Sequence, residues 1–287
     1  MLLDAIVLAG GRSSRLGGSP KAELLVEGRR LVDIAVEAAL AAGCRRVVVV
    51  GPDDLAPLSP TATVTLTRED PPFGGPAAAL AAGLAAVEAL APRSDHTARS
   101  DHTARSEQTT RSDHIARSDH IARSDHTTRS EQTARSGHIT RSHHTVRSDQ
   151  TTHSGPAEPP AAPDALLVLA CDMPGAASAL PALLDAARTA SRAPGIGAGS
   201  DAGWAAMAVD HDGRRQPLLA VYGLAAISAR VAARSGEPGG LEGAPFRSLL
   251  DGLGITEVPV PAGSSSDIDT WADAGRFHAH PNPVGAP

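Results

Sequence analysis

A glycine-rich turn followed by two cations lies near the start of the chain. Residues 3–9 form a mainly apolar run that leads into Gly10 and Gly11, and Arg15 and Lys21 follow. Because glycine has no Cβ, a phosphate can approach the backbone N–H groups of such a turn closely. Arg15 and Lys21 carry positive charge suited to a triphosphate. The spacing is neither that of a Walker A loop nor that of a Rossmann fingerprint. By itself, the turn therefore also fits a flexible strand-to-helix loop.

A carboxylate follows a second apolar run. Asp172 comes after residues 165–170 and Cys171. In open α/β sheets, ligands bind outside the carboxyl ends of the strands, and carboxylate oxygen suits Mg²⁺, which also takes ligands from substrate phosphates. Asp172 is therefore a candidate ligand for a cation, although an aspartate before a Pro-containing turn is equally a common turn residue.

The stretches between these residues alternate apolar runs with Ala-rich helical patterns. The chain is 41% hydrophobic but only 2% aromatic, so its core must be built from Ala, Val, Leu and Ile, which suits a buried parallel sheet covered by helices. Predicted strands cover residues 3–9, 47–50, 64–66, 165–170, 204–209, 217–221 and 255–260, and predicted helices cover residues 31–42, 76–90, 179–190, 225–233, 245–250 and 271–277. Strands separated by helices of this length predict βαβ units and a mostly parallel, three-layer α/β sheet.

A segment of different composition interrupts this pattern. Residues 93–154 repeat with a period of six, and they contain ten Arg, six Asp and two Glu but no Leu and no aromatic residue. Such a tract cannot bury enough apolar surface to offset its ordering entropy, which predicts a disordered insertion. A hexapeptide β-helix would need a regular apolar position, and the nine His of the tract indicate at most weak metal binding. We expect a discontinuous domain at 1–92 and 164–278, an insertion with a Pro-rich linker at 93–163, and a flexible tail at 279–287.

Charge, hydropathy and cysteine content exclude several classes of protein. A formal net charge of -6 argues against a protein that binds nucleic acid by bulk electrostatics. No apolar run approaches the roughly 20 residues of a membrane-spanning helix, and the N-terminus lacks the pattern of a secretory signal. Two cysteines, Cys44 and Cys171, are too few for a disulfide framework or a four-Cys zinc site. We expect both to be buried apolar side chains in a cytoplasmic protein.

The run that begins at Leu8 and ends at Lys21 resembles the signature of the MobA-like nucleotidyltransferases. Its matching residues are Leu8, Ala9, Gly10, Gly11, Ser13, Arg15, Leu16, Gly17 and Lys21. Four later segments are similar to those of the family and occur in the family's order: Glu69-Asp70 with Gly74-Gly75-Pro76, Cys171-Asp172, Gln216-Pro217-Leu218, and residues 266–273. The last segment departs from the family pattern, because Trp271 replaces the usual Pro and Ala272 the usual Glu. The resemblance covers residues 3–92 and 164–278.

The resemblance implies a Rossmann-like nucleotidyltransferase domain. Such a domain transfers a nucleoside monophosphate from an NTP to a phosphorylated acceptor and releases pyrophosphate. The implied cofactor is Mg²⁺, with Asp172 and Asp269 as its carboxylate ligands, and a helix cap at Asp269 or Thr270 is the alternative. The implied catalytic residues are Arg15, Lys21 and Asp172. The implied nucleotide-binding residues are Leu8, Ala9, Gly10, Gly11, Lys21, Asp70, Gly75, Pro76 and Asp172.

The base and the acceptor follow from finer similarities. The Leu-Ala-Gly-Gly start is similar to GTP-using members, whereas residues 267–270 are more similar to CTP-using relatives. We weigh the first motif more heavily, because in the family it lies nearer the base. The expected reaction is transfer of GMP from GTP to the molybdopterin form of molybdenum cofactor, by a monomer or weak homo-oligomer without nucleic-acid or membrane partners. The alternatives are a cytidylyltransferase or other NTP transferase with a different small phosphorylated acceptor, a non-catalytic nucleotide-binding module, and a scaffold built on the repeat tract.

Overall fold

The computed structural model describes residues 1–11, 14–55, 63–90, 163–193 and 203–283. The hexapeptide tract and its predicted linker, up to residue 162, lie outside the described residues, so the predicted disordered insertion stays a prediction. Ser13 of the glycine-rich run and residues 284–287 of the predicted tail also lie outside them.

A seven-stranded sheet forms the centre of the described chain. The strands are β1 (Leu3–Leu8), β2 (Leu25–Val26), β3 (Arg29–Arg30), β4 (Val47–Val50), β5 (Val64–Thr67), β6 (Ala165–Ala170), β7 (Trp204–Val209), β8 (Arg215–Gly223) and β9 (Gly254–Pro259). The large sheet has the order β5-β4-β1-β6-β8-β7-β9, and β2 pairs with β3 in a small antiparallel sheet. Strand β8 is antiparallel to β6 and β7, whereas the other neighbouring pairs of the large sheet are parallel. The predicted mostly parallel α/β sheet is confirmed.

Helices cover both faces of this sheet. They are α1 (Leu31–Ala41), α2 (Pro76–Ala89), α3 (Leu180–Ala190), α4 (Leu224–Ser235) and α5 (Trp271–Arg276). Successive side chains of β1 enter two cores, since Ala5 and Val7 pack with α1 and α3, whereas Ile6 and Leu8 pack with α2 and α4. The predicted three-layer arrangement is therefore confirmed. In the described part of the chain, no helix is long and apolar enough to span a membrane.

Most predicted elements agree with the structure to within two residues at their boundaries. The strands predicted at 47–50, 165–170 and 204–209 have those bounds, and the first predicted helix ends before Gly43, whose φ of +87° suits glycine. The helix predicted at 245–250 is wrong in type, because this short segment after Pro245 forms only a 3-10 helix over Phe246–Leu249. The small β2–β3 hairpin is absent from the predicted elements, since strands of two residues leave no periodic pattern.

A buried ion pair fastens the edge of the sheet where the parallel strands begin. Asp4 of β1 is fully buried, and its Oδ2 accepts a hydrogen bond from Arg46 Nε at 2.9 Å. Arg45 Nε lies 3.4 Å from the other carboxylate oxygen. The Arg46 guanidinium also donates to the carbonyl of Leu90, which follows α2. The starts of β1 and β4 and the end of α2 are therefore joined at this amino edge.

Candidate active site

A cleft of about 1020 Å³ opens at the carboxyl ends of the parallel strands. The loops after β5, β1 and β6 line one part of it, and the β7–β8 hairpin and the loop after β9 line the rest. Because parallel strands end at the same edge of a sheet, loops that are distant in sequence face one cavity.

The glycine-rich turn forms part of the cleft wall. Leu8, Gly10 and Gly11 line the cleft, whereas Ala9 is buried behind the surface of the turn. Gly11 has a φ of +146°, in a region that favours glycine, and a Cβ on it would meet no atom of the described residues within 4 Å. The turn therefore presents open backbone to the cleft, as the sequence pattern predicts for a phosphate-binding turn.

One ammonium group joins two carboxylates at the cleft. Lys21 lies on the 3-10 helix Lys21–Glu23, and its Nζ is 3.2 Å from Asp172 Oδ2. The same ammonium donates to Asp269 Oδ1, and Arg15 Nη1 lies 3.6 Å from Asp269 Oδ2. The structure thus brings together the four charged side chains that the resemblance assigns to catalysis and metal binding. Lys21 and Asp172 line the cleft itself, whereas Asp269 and the exposed Arg15 are not among its lining residues and lie behind Lys21.

Burial and neighbouring charges act in opposite directions in this cluster. Burial raises the pKa of Asp172; the Lys21 ammonium opposes this effect, and the charges of Asp267 and Asp269 add to it. For Lys21, burial would lower the pKa, but the carboxylates of Asp269 and Asp172 together outweigh it, so the pKa is raised. The carboxylates of Asp267 and Asp269 thus add negative charge near Asp172, which favours the binding of a further cation.

The donor set fits a divalent cation that binds together with a nucleotide. Asp172 and Asp269 supply two carboxylates, both in contact with the Lys21 ammonium, and Mg²⁺ prefers oxygen ligands. Among the described residues, no group of three or more His, Cys, Asp or Glu side chains could hold a metal by itself. One or two carboxylates, completed by substrate phosphates and water, are a common ligand set for Mg²⁺. The residues present fit this cofactor.

The cap of α5 is Thr270. Its side chain accepts from Asp273 N at 3.2 Å, and Asp273 Oδ2 accepts from Thr270 N at 2.8 Å, which makes a capping box. Hydrogen bonds from Thr270 and Arg276 lower the pKa of Asp273 to about 2. Because Thr270 caps the helix, Asp269 is not needed for that role. The carboxylate of Asp269 instead accepts a hydrogen bond from the Lys21 ammonium.

A small apolar cluster supports the charged residues from behind. Its buried members are Leu16, Leu24, Leu31, Ile268 and Ala274. Ile268 N also donates to the backbone carbonyl of Asp172 at 3.0 Å. Arg15 and Lys21 lie in the chain segment that contributes Leu16 and Leu24 to the cluster, and Asp269 directly follows Ile268, which a second segment contributes. The cluster therefore holds the cations and the second carboxylate against each other.

The loop after β5 brings some predicted nucleotide-binding residues to the cleft. Gly75, with a φ of +91°, and Pro76, the first residue of α2, line it. Asp70 is exposed and is not part of the lining, so its predicted role stays a prediction. The preceding Glu69 is buried and lines the cleft, and its Oε1 accepts from Phe73 N at 3.1 Å.

The far part of the cleft contains residues that no sequence motif indicates. Asp210 and Arg214 of the β7–β8 hairpin line it, and so does Arg276 of α5. Asp210 accepts from Gln216 Nε2 at 3.0 Å and from two backbone N–H groups of its own turn at 2.9 Å each. Residues 216–218, which the resemblance implies to lie near the acceptor, line the cleft. An Asp-Gly turn predicts the hairpin, but its approach to the cleft depends on the order of the strands.

Comparison with known proteins gives one family and a group of similar structures. The family model of the MobA-like NTP transferase domain matches residues 5–251. No curated protein sequence matches the chain.

Three solved structures illustrate the structural similarity. Rv0371c from Mycobacterium tuberculosis H37Rv is 15% identical, with a TM-score of 0.52 over 96% of this chain and 97% of that chain. A nucleotidyl transferase from Methanothermobacter is 15% identical, with a TM-score of 0.50 over 96% and 95%. Molybdopterin-guanine dinucleotide biosynthesis protein A from Archaeoglobus fulgidus is 15% identical, with a TM-score of 0.49 over 96% of each chain. At this identity, the first two comparisons show a shared fold.

Proposed function

The chain belongs to the MobA-like NTP transferase family, and on that premise we propose that it transfers GMP from GTP to the molybdopterin form of molybdenum cofactor. The observation that carries the proposal is the contact of Lys21 with both Asp172 and Asp269 beside the glycine turn. A cation and two carboxylates at this position suit a nucleotide triphosphate that binds with Mg²⁺.

The reaction needs no nucleophile from the protein. A phosphate oxygen of the acceptor attacks the α-phosphorus of GTP in line, and the bond to the β-phosphate oxygen breaks. Its electron pair leaves with pyrophosphate. The residues of the chain position both substrates and neutralise charge as it develops.

Each charged residue has a defined task in this proposal. The backbone of Gly10 and Gly11 approaches the nucleotide, and Lys21 neutralises charge on its phosphates. Arg15, which lies 3.6 Å from Asp269, reinforces this positive charge from the rim. Asp172 and Asp269 would hold Mg²⁺, which when bound supplies Lewis-acid stabilisation of the phosphate oxygens.

The proposed base is inferred from the Leu8-Ala9-Gly10-Gly11 run together with Gly75 and Pro76. All of these residues except the buried Ala9 line the same cleft. These motifs favour GTP. Residues 267–270 favour CTP, so a cytidylyltransferase, or a transferase with another small phosphorylated acceptor, is the second candidate. The volume of the cleft, about 1020 Å³, lies at the upper end of the range of about 300–1,000 Å³ that is typical of sites for drug-sized ligands.

A pyrophosphate-release assay tests the proposal. The protein is incubated with Mg²⁺, molybdenum-loaded molybdopterin and either GTP, CTP or ATP. We expect pyrophosphate release with GTP and clearly weaker release with CTP and ATP. Preference for CTP would replace the guanylyl assignment with a cytidylyl one. Nucleotide binding in a calorimeter without pyrophosphate release would instead indicate a non-catalytic binding module.

A further inference from the structure

The chain leaves α5 through a Schellman motif. Ala279 N donates to the carbonyl of Ala274 at 2.8 Å, and His278 N donates to that of Gly275 at 3.3 Å. His278 has a φ of +51°, the left-handed conformation that is typical of this helix ending. Ala279 also packs against the apolar cluster that contains Ala274, which is the hydrophobic contact of the motif. The motif directs residues 279–283, part of the predicted tail, towards the small β2–β3 sheet.

Residue 280 extends this small sheet. Leu25 N donates to the carbonyl of His280 at 2.8 Å, and His280 N donates to the carbonyl of Leu25 at 3.0 Å. Leu25 also pairs with Arg30 of β3. Strand β2 therefore lies between β3 and the segment that follows α5. We refer to this segment, residues 277–282, as the strap.

A polar contact joins the strap to the turn that carries Lys21. Asn282 Nδ2 donates to Glu23 Oε2 at 3.2 Å, and Glu23 Oε1 accepts from Arg30 Nη1 at 3.2 Å. Arg30 Nε donates in turn to Asp33 of α1 at 2.7 Å. The side chains of Glu23 and Arg30 are only 13% and 12% exposed, so water competes little with these bonds. Because Glu23 ends the 3-10 helix that begins at Lys21, the strap contacts the same helical turn as the lysine.

The strap and Asp269 reach one short segment from the two ends of α5. Before the helix, Asp269 accepts from the Lys21 ammonium. After the helix, the strap binds residues 23–25 through its backbone and through Asn282. Phe277 of the strap also packs against the apolar cluster. A helix of six residues thus connects the carboxylate that contacts the ammonium with the strap that holds the backbone of its turn.

We propose that the strap positions the Lys21 ammonium for nucleotidyl transfer, with Asn282 and the backbone of residue 280 as its positioning groups. Lysine has a flexible stem of four carbons, so the place of its ammonium depends on how firmly its backbone is held. The described residues that line the cleft do not include residues 277–282, so the strap acts through Lys21 and not on substrate. The inference rests on the proposed function, in which Lys21 neutralises charge on the nucleotide phosphates, and adds the segment that holds it in place.

The substitution Asn282→Asp tests whether the strap holds this turn. It removes the donor to Glu23 and places a second carboxylate beside it, and the two like charges repel. We expect N282D to weaken binding of GTP with Mg²⁺, measured in a calorimeter, by about tenfold, since a displaced ammonium loses much of a charge-assisted contact with phosphate. The kcat for pyrophosphate release should fall as well. KM for the acceptor should change little, because the strap does not line the cleft.

A double variant exchanges donor and acceptor and should restore both properties. In E23Q/N282D, the oxygen of the new amide can accept from Arg30, and its NH2 group can donate to the carboxylate at position 282. GTP affinity and kcat should return close to their wild-type values. E88Q, at an exposed position of α2, is the control for the loss of one carboxylate and should behave as the wild type. Failure of the double variant to recover, when it is folded, would overturn the role of the Asn282 contact.

A cycle with Lys21→Ala separates positioning from a general loss of stability. If the strap acts through Lys21, N282D should weaken GTP binding little further when the ammonium is already absent, because changes to one interaction do not add. Additive losses in the folded K21A/N282D protein would overturn the proposal, since the strap would then act independently of the lysine.

Hydrogen exchange of the Leu25 amide reports on the strap without any substrate. This N–H donates to the carbonyl of His280, so its exchange should be faster in N282D and should slow again in E23Q/N282D. Faster exchange with unchanged GTP affinity and unchanged kcat would overturn the positioning role. If the added charge prevents folding, Asn282→Ala, which only removes the donor, should show the same changes to a smaller extent.

The same measurements distinguish failure of this inference from failure of the proposed function. Preference of the wild-type protein for CTP would overturn GTP use alone. The variants would then be measured with CTP, because Lys21 faces phosphates that both nucleotides share. A wild-type protein that binds neither nucleotide would overturn both the proposed function and the positioning role, even where exchange at Leu25 confirms the contact of the strap with β2.

Discussion

The Nζ atom of Lys21 lies 3.2 Å from Oδ2 of Asp172, although 151 residues separate the two along the chain. They meet because β1 and β6 are parallel neighbours whose carboxyl ends share one edge of the sheet. Lys21 follows the turn after β1, and Asp172 follows β6. Charge at this point affects both the proposed reaction and the stability of the fold.

Asp172→Asn should abolish turnover without loss of the fold. The variant removes the charge that would hold Mg²⁺ and leaves a side chain of the same size. One strong electrostatic contact in a transition state is worth about 3–4 kcal/mol, or several hundredfold in rate. The measurement is kcat for pyrophosphate release, with circular dichroism as the check on folding. Asp251→Asn, at an exposed turn, is the matched control, and near-normal turnover in D172N would remove the metal assignment.

The same variant should be more stable than the wild-type protein at neutral pH. Burial raises the pKa of Asp172, so the folded state binds the proton more tightly than the unfolded state, and ionisation costs stability above the folded pKa. That cost is absent below the ordinary carboxyl pKa of about 4. We expect the Tm of D172N to exceed that of the wild type at pH 7 and the difference to shrink towards pH 4. A lower Tm for D172N at pH 7 would contradict this account.

Thr270→Ala should destabilise the protein by about 1 kcal/mol, the usual cost of a lost N-cap. The substitution removes the acceptor of Asp273 N in the capping box. Urea unfolding measures the effect, and Thr270→Ser, which keeps the hydroxyl, should be close to the wild type. The capping box also makes the stability of the fold depend on pH. Because the pKa of Asp273 is lowered to about 2, the stability that its carboxylate contributes is present at neutral pH and is lost as the pH falls through that value.

Gly175→Ala should disturb the acceptor side of the cleft. A Cβ at this position would lie 2.6 Å from the carbonyl oxygen of Gly263, so the loop after β9 must shift. We expect a loss of about 1–3 kcal/mol in stability, as for other overpacked sites, and a raised KM for the acceptor. Gly275→Ala is the matched control, since a Cβ there meets no atom within 4 Å in the described part of the chain and alanine favours a helix by about 0.5–1 kcal/mol. Equal stabilities of the two variants would contradict this prediction, because they would show that the loop after β9 shifts without a measurable cost in stability.

Replacement of residues 93–154 by a short Gly/Ser linker should leave kcat/KM nearly unchanged. The described residues on either side are held at the amino edge of the sheet: Arg46 donates to the carbonyl of Leu90, and Asp164 N donates to the carbonyl of Leu2 at 2.9 Å. The cleft lies at the opposite edge, and the entropy of loop closure grows only slowly with length. A large fall in kcat/KM of a folded variant would mean that the tract acts at the cleft or on a partner that delivers the acceptor.

Local patterns were sufficient to predict most of the sheet and one wall of the cleft. The runs at 47–50 and 165–170 are apolar throughout, because strands covered on both faces leave no polar position, and both have their predicted bounds. The glycine turn is equally local, since Gly10 and Gly11 act through backbone that no side chain shields. The 3-10 helix at Phe246–Leu249 was predicted in the wrong form, because a single turn is too short for periodicity to distinguish helix types.

Residue type and order along the chain are enough to predict which residues could bind phosphate and cation. Which of these residues meet depends on the packing of segments that are distant in the chain. Asp269 and Thr270 are neighbours, and either could cap α5 by its residue type. Ile268 packs in one apolar cluster with Leu16, which places the carboxylate of Asp269 against the Lys21 ammonium, and Thr270 caps the helix. Glu69 and Asp70 are adjacent acids, and the direction of the chain after β5 buries the first in the cleft and exposes the second. Such choices depend on contacts between segments up to 248 residues apart, which form only when the parallel strands bring their carboxyl ends to one edge.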